Sequence, residues 1–324
     1  MTAFKDNCYS KSKFGVLCLF FAVLLAADFV FSENKELPAS ITDPVTHVCR
    51  SMYQVEIKKD VFYLEPGREE KCDLYLPKNL PDDKRVPAIV IIHGGGWKGG
   101  DKADKREIHL GTYFAKCGYV AMSINYKLCK NKVPSWPQNI YDCKSAVKFL
   151  RKNAARLKVN PDFIGAIGGS AGGHLVSMLA VTGSCQELEP PRLYEEFSSR
   201  IQACVDLYGI SDHISRGKSY LADILGATLE EDPDLWKLAS PIYHVSPDTC
   251  PVLILHGLKD TTVDYQQSIS FIEALSRESV PSRLILVSGA PHTFPLYYNS
   301  YSDMMAAVIN FFDERLNHPD VKAE

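Results

Sequence analysis

Short apolar runs recur along the chain, and between them lie segments whose apolar positions return every three or four residues. Residues 88–92 (Ala-Ile-Val-Ile-Ile) are apolar throughout, as are most of 119–124, 163–167, 201–207, 252–255 and 284–287. A strand that shows no polar face is buried on both sides, which is the mark of a parallel sheet sandwiched between helices. The intervening segments 105–117, 138–153, 171–180, 265–277 and 303–316 carry helical periodicity; in the second, Ile140, Val147 and Leu150 share one face. Upstream, Val55, Ile57 and Val61 alternate with polar residues, and 72–76 ends at Pro77, so two strands are expected between 54 and 76. Strands alternating with helices predict an α/β fold, a mostly parallel sheet covered by helices on both faces. Two segments break the alternation. Residues 182–199 are polar and carry Pro190-Pro191, and 208–248 form a long insert with short helical pieces of its own. Inserts at strand ends build substrate pockets in such sheets, so 208–248 is expected to be a small cap within one domain spanning 54–318.

Chemistry concentrates at the ends of four of these strands. After the strand at 163–167 come Gly168-Gly169-Ser170-Ala171-Gly172, followed at once by a helix. A G-x-S-x-G turn between strand and helix forces the serine out of the backbone, with only small residues tolerated on either side. The hydroxyl then sits at the positive end of the following helix. After 88–92 come His93-Gly94-Gly95-Gly96-Trp97. Acyl transfer develops negative charge on a carbonyl oxygen, and preorganised backbone N–H groups are the usual means of stabilising it. Gly95, Gly96 and Ala171 are the expected donors of this oxyanion hole, with His93 orienting the loop rather than moving protons. Trp97 reads equally well as pocket wall or core. A serine nucleophile needs a base, and the base an orienting acid. His256-Gly257-Leu258-Lys259-Asp260 follows one late strand and Ser288-Gly289-Ala290-Pro291-His292 the next, which nominates Asp260 as acid and His292 as base, in the order serine, acid, histidine. Asp264 competes with Asp260, but it opens the next helix and is expected to cap it. The other histidines, His174, His213 and His256 among them, default to structural or surface roles.

Gly94-x-Gly96-x-x-Gly99 formally matches a dinucleotide fingerprint. That fingerprint needs a helix at the glycines and an acid ending the next strand. Residues 98–104 are polar and loop-like, and the next strand runs into Asn125-Tyr126, so the match is discounted. The chain carries 36 basic and 39 acidic residues, a formal charge of −3, which offers no electrostatic footprint for nucleic acid. The densest basic cluster, Lys98 to Arg106, is interleaved with Asp101, Asp104 and Glu107 and reads as a solvated face.

The N-terminus alters the setting. Lys5, Lys11 and Lys13 precede an apolar run from Phe14 to Ala27, and small residues follow at Ala27 and Ser32. This is the form of a secretory signal peptide, assigned to residues 1–32, with an uncleaved anchor as the alternative reading. Residues 33–53 are then an exposed lead-in. The product is expected to be secreted, extracellular or periplasmic, with no membrane attachment once the signal is removed. Two of ten cysteines, Cys8 and Cys18, fall in the signal, and the eight that remain permit disulfides without fixing their pairing. Cys204, within an apolar run, reads as well as a buried thiol. No C-x-x-C pair and no N-x-S/T site occurs. The oligomeric state is not legible.

With these motifs in place, the chain resembles the small α/β-hydrolases related to hormone-sensitive lipase, and most closely the feruloyl-esterase and acetylxylan-esterase-like group. The likeness rests on His93-Gly94-Gly95-Gly96-Trp97, Gly168-Gly169-Ser170-Ala171-Gly172-Gly173-His174, His256-Gly257-x-x-Asp260 and His292, and covers roughly residues 86–316. It implies an α/β-hydrolase fold and a cofactor-free, metal-free serine esterase acting on short-chain or aromatic esters, including acetyl or feruloyl esters of plant polysaccharides. A lipase and a kynurenine-formamidase-like amidase are the competing enzymatic readings. A catalytically dead hydrolase-like binding module is the non-enzymatic one, although no serine, histidine or glycine of the site is missing.

Overall fold

The computed structural model describes residues 29–32, 53–191, 193–294 and 302–316. Among the described residues nine strands form one sheet: β1 (Phe29–Ser32), β2 (Val55–Val61), β3 (Cys72–Pro77), β4 (Val86–Ile92), β5 (Val120–Ile124), β6 (Val159–Gly169), β7 (Ala203–Leu207), β8 (Val252–Gly257) and β9 (Ser282–Val287). Their spatial order is β1-β9-β8-β7-β6-β4-β5-β3-β2. In that order every neighbouring pair from β1 to β5 is parallel, and β3 near the far edge runs antiparallel to both its neighbours, β5 and β2.

β4 shows why the sheet must be covered twice. All seven of its residues are buried. Ala88, Val90 and Ile92 join one apolar cluster, Ile89 and Ile91 the opposite one. The first cluster takes in Ile140, Val147 and Leu150 of α2 (Gln138–Lys152), Leu175 and Met178 of α4 (Ala171–Val181), and Phe271 and Leu275 of α8 (Gln266–Arg277). The second takes in Leu110 and Phe114 of α1 (Lys105–Lys116) and Val308 and Phe312 of α9 (Ser302–Arg315). Each fully buried valine or isoleucine contributes about 1.5–3 kcal/mol relative to exposure, which makes β4 the least expendable strand.

The topology also fixes where a site can form. From β4 the chain crosses through α1 to β5 on one side, then through α2 back to β6 on the other. Strand order therefore reverses between β4 and β6, and the crevice outside their carboxyl ends is where such sheets bind ligands. The His93 loop leaves β4 there, and Ser170 leaves β6.

Helices and strands fall close to their expected positions, with differences that have local causes. β6 begins at Val159 rather than 163, because Val159 pairs with Val86 before a register shift, and pairing resumes at Ala88 and Ile164. The insert 208–248 holds three short helices, α5 (His213–Arg216), α6 (Leu221–Leu225) and α7 (Pro233–Leu238), and a 3-10 turn at Pro241–His244. Leu221, Ile224, Leu225 and Trp236 are buried in the main core, so they bind the insert to the body rather than line a lid.

The stretch 98–106 is only in part the solvated face its charges suggested: Lys98, Asp104 and Lys105 are exposed, but two of its cations turn inward. Lys102 is buried, with Nζ 2.9 Å from Asp73 and 3.1 Å from Asp60. Arg106 folds inward onto buried Glu107 and Tyr208. Mixed-sign charge close in sequence found partners inside the fold instead of water.

Cys204 is a buried free thiol, and Cys117 is disulfide-bonded. Residues 29–32, placed by the sequence at the end of the signal segment, pair along β9. Residues 1–28 and the lead-in 33–52 lie outside the described residues. Among the described residues no helix is long and apolar enough to cross a membrane.

Candidate active site

Ser170 takes the conformation that a nucleophile elbow demands, φ 58° and ψ −120°. A serine held at positive φ costs about 1–3 kcal/mol and persists only where its surroundings enforce it. Here the Ser170 N–H donates to the Leu207 carbonyl at 2.9 Å, and the Ser170 carbonyl accepts from His174 N–H at 2.9 Å. The flanking glycines are sterically required. A β-carbon on Gly172 would lie 2.1 Å from the Ile92 carbonyl oxygen, and one on Gly168 would lie 2.4 Å from that of Gly172. α4 begins at Ala171, so the hydroxyl stands at its positive end.

His292 closes on the serine from the loop after β9. Its Nε2 is 3.0 Å from Ser170 Oγ and its Nδ1 is 2.6 Å from Asp260 Oδ2. A carboxylate only accepts, so Nδ1 carries the proton and Nε2 is left free to receive the one on Ser170. Asp260 is wholly shielded and takes four donors. Oδ1 accepts the N–H groups of Thr262 (2.8 Å) and Val263 (2.9 Å), and Oδ2 accepts from His292 and His256. Burial works to raise its pKa, but the hydrogen bonds from His256, His292, Val263 and Thr262 outweigh it and hold the carboxyl well below the usual range. Asp264 is used differently: its Oδ1 accepts the Gln266 N–H at the start of α8, as expected of a cap.

The glycine loop wraps over the elbow. Gly95 and Gly96 have φ of 106° and 61°, and a β-carbon on Gly95 would strike the Gly99 carbonyl at 2.2 Å. Among the described residues, no hydrogen bond engages the N–H groups of Gly95, Gly96 or Ala171. The loop is pinned from behind. Tyr126 donates to the His93 carbonyl at 3.0 Å, and His93 Nδ1 donates to the Gly94 carbonyl at 2.7 Å while its ring stacks on Tyr126. His93 is buried, its pKa is lowered by that burial, and it lies outside the Ser170–His292–Asp260 chain. Trp97 is core: 1% exposed, it donates from Nε1 to His174 Nδ1 at 3.2 Å.

Of the seven residues singled out from the sequence, Ser170, His292 and Asp260 thus form one hydrogen-bonded line, Ala171 follows the serine, and the loop bearing His93, Gly95 and Gly96 packs against the elbow, where a β-carbon on Gly94 would lie 3.5 Å from that of Ser170. Two others on the same machinery did not stand out in the sequence. His256 is buried against the acid, donating from Nε2 to Asp260 Oδ2 at 3.1 Å and to the Val263 carbonyl at 3.0 Å. Its Nδ1 accepts from Ser268 Oγ at 2.7 Å. The signal was available, since a strand-end histidine four residues before the acid is within reach of it. Tyr208 packs on His292 from the end of β7, with no local motif to announce it. A cavity of about 310 Å³ opens beside the glycine loop and the His292 loop, bounded by Gly94, Gly95, Asp104, Arg106, Tyr208 and Phe294.

His292 is held on the acidic side of an ordinary histidine. Burial lowers its pKa more than the hydrogen bond and charge of Asp260 raise it, and His256 and Arg216 lower it further. Any reaction that uses neutral His292 as base should therefore rise with pH through one ionisation centred below about 6.5, and be flat above neutrality. A kcat/KM profile against pH measures this, and a rate unchanged down to pH about 4.5 would require a different base.

Fold and site together define an α/β-hydrolase. Comparison with known proteins agrees: a family model described as BD-FAE matches residues 72–275, well over half the chain, and the chain belongs to that family. Two curated relatives come from Mycobacterium tuberculosis. The probable carboxylic ester hydrolase LipM is 32% identical over 68% of this chain and 52% of its own length. Esterase LipQ is 30% identical over 78% of this chain and 61% of its own. The chain thus spans about half to two thirds of the length of these relatives. Among solved structures, a truncated carbohydrate esterase from gut microbiota superposes with a TM-score of 0.72 at 28% identity, covering 83% of this chain and 98% of that one. Butyrate-bound esterase 2 of Thermogutta terrifontis superposes with a TM-score of 0.66 at 27% identity, covering 80% and 92%.

Proposed function

We propose that this chain is a serine carboxylic-ester hydrolase working through an acyl-enzyme, with Ser170 as nucleophile, His292 as general base and acid, and Asp260 as the orienting acid. The observation that carries the proposal is the unbroken line from Ser170 Oγ to His292 at 3.0 Å and from His292 to Asp260 at 2.6 Å, beside N–H groups that nothing in the described protein engages. In the first half-reaction His292 Nε2 takes the Ser170 proton as Oγ bonds to the ester carbonyl carbon. The Gly95, Gly96 and Ala171 N–H groups stabilise the oxyanion, and His93 keeps their loop in place. The tetrahedral species collapses, the alcohol leaves with the proton from His292, and the acyl group stays on Ser170. In the second half water loses a proton to His292 Nε2 as it attacks the acyl carbon, and the tetrahedral species then releases the acid while His292 returns that proton to Ser170 Oγ. Asp260 fixes the His292 tautomer and stabilises its charged form throughout. The chemistry needs neither metal nor organic cofactor.

The substrates of this reading are small acetyl or feruloyl esters, including those of carbohydrates, supported by the likeness to a carbohydrate esterase from gut microbiota. The insert argues the same way, since its helices have four to six residues and their apolar side chains are spent on the core. No long apolar helix in it could settle on a lipid surface. Export to an oxidising compartment belongs to the proposal too, supported by the signal-like N-terminus and by disulfide-bonded Cys117.

A panel of p-nitrophenyl esters, with acetylated and feruloylated sugars beside a long-chain triglyceride emulsion, tests the substrate range. Rates should peak at about two to four acyl carbons and fall steeply past about eight, without activation at an interface. Best turnover on the emulsion would replace the esterase reading with a lipase.

A further inference from the structure

Half-buried Arg106 and buried Tyr208 form a pair that the reaction above does not use, and both reach the proposed catalytic centre. Tyr208 directly follows β7 and has φ 47°, a left-handed conformation that is a genuine outlier for a bulky aromatic residue. Several contacts hold it there. Its N–H donates to the Leu255 carbonyl at 2.8 Å. The turn it occupies is closed by Asp206, whose Oδ1 accepts the Gly209 N–H at 2.8 Å. Its hydroxyl accepts from Arg106 Nη1, also at 2.8 Å. Arg106 is fixed in turn by Glu107, to which it donates from both Nε and Nη2. Glu107 is itself 2% exposed.

The ring so fixed lies edge-to-face with His292, centroids 4.8 Å apart at 64°, and with Phe294 at 5.3 Å. Arg106 touches the elbow as well. A β-carbon on Gly169, the residue before the nucleophile, would lie 2.2 Å from Arg106 Nη1 and 2.9 Å from the Tyr208 hydroxyl. The glycine at the variable place of the G-x-S-x-G turn is therefore explained by the guanidinium that fills the space beside it. Strain of this kind, over-determined by a charged network, is typically stored where a catalytic group must be aimed.

We infer that Tyr208, locked by Arg106, is a positioning residue for His292, setting the direction of its imidazole and keeping water from the face that Tyr208 covers. This rests on the serine-hydrolase reading. Asp260 restrains only Nδ1, so rotation of the ring about that bond is limited by what packs on its faces. The other groups acting on His292 are Ser170 at Nε2, the His256 ring behind Asp260, and the Arg216 cation. None of these stacks on the imidazole.

The test compares Tyr208→Phe, Tyr208→Ala, Arg106→Lys and the double variant Arg106→Lys/Tyr208→Phe with wild type in the full chain. Wild-type labelling of Ser170 by a fluorophosphonate settles the underlying reading first. The variants are then measured as kcat and KM on p-nitrophenyl acetate per labelled site, and as labelling rate against pH. Tyr208→Ala should lose about 100-fold in kcat per site, the scale of a slight misplacement of a reacting group. Its acid limb should also move up towards ordinary histidine, because burial is what lowers His292. Tyr208→Phe breaks the shared hydrogen bond, and Arg106→Lys breaks it together with the fork onto Glu107; each should lose about tenfold, mostly in kcat, with the double variant no slower than the slower single. Should Tyr208→Ala not fold, this cycle decides alone. Additive losses in the double variant, or an unmoved acid limb with near-wild-type kcat per site in Tyr208→Ala, would overturn the inference.

Discussion

Ser170→Ala should lower kcat by roughly 10⁴ to 10⁶, because members of a triad act as a unit and the loss of one removes the covalent route altogether. The geometry leaves no substitute. The Ser170 hydroxyl stands at the tip of the elbow, at the start of α4, and His292 Nε2 is directed at it from 3.0 Å. The fold should be unaffected, since alanine keeps the β-carbon and the Ser170 backbone bonds to Leu207 and His174 do not involve the hydroxyl. An unchanged circular dichroism spectrum and melting temperature, with ester hydrolysis near background, is the expected outcome. A variant retaining more than about a tenth of wild-type rate would remove Ser170 from the mechanism.

Asp260→Asn should cost about 10⁴ in kcat, for a reason of hydrogen-bond polarity. All four donors around Asp260 point at acceptor oxygens: Thr262 and Val263 at Oδ1, His292 and His256 at Oδ2. An asparagine presents one oxygen and one NH₂ group, so whichever way it turns, two donors face a donor. If the NH₂ faces His292, the imidazole moves its proton to Nε2 and can no longer accept one from Ser170. If it faces Thr262 and Val263, the loop bearing residue 260 is displaced. Both arrangements damage catalysis, and leaving buried donors unpaired should lower the melting temperature as well. Steady-state kinetics on a short-chain ester, with thermal melting beside it, measure the two effects. Loss of stability with kcat intact would show that Asp260 is structural only.

The proposed line of Ser170, His292 and Asp260 was legible because each of its members follows closely on a strand. Hydrophobic runs located β4, β6, β8 and β9, and Ser170, Asp260 and His292 each stand a few residues beyond one of them. The glycine requirements were legible too, since the elbow and the loop over it bring backbones closer together than any β-carbon allows. Arg106 and Tyr208 were hidden for the opposite reason. They are 102 positions apart, on α1 and at the end of β7, and only the assembled sheet brings guanidinium and phenol together. Lys102 misled in the same way, its partners Asp60 and Asp73 lying on the antiparallel edge of the sheet. His256 falls between these cases: its distance from Asp260 is local, but the Ser268 hydroxyl that fixes its tautomer comes from α8. Periodicity reports on faces, motifs report on local turns, and neither reports on partners brought together by topology.

The serine assignment underlies everything else, and one measurement addresses it without assuming a substrate. The purified chain is incubated with a slight excess of a fluorophosphonate, digested, and its peptides weighed. A single adduct should appear, on the peptide containing Ser170, and the remaining esterase activity should fall in proportion to the labelled fraction. An adduct on another residue, or full activity in protein fully labelled at Ser170, would contradict the account.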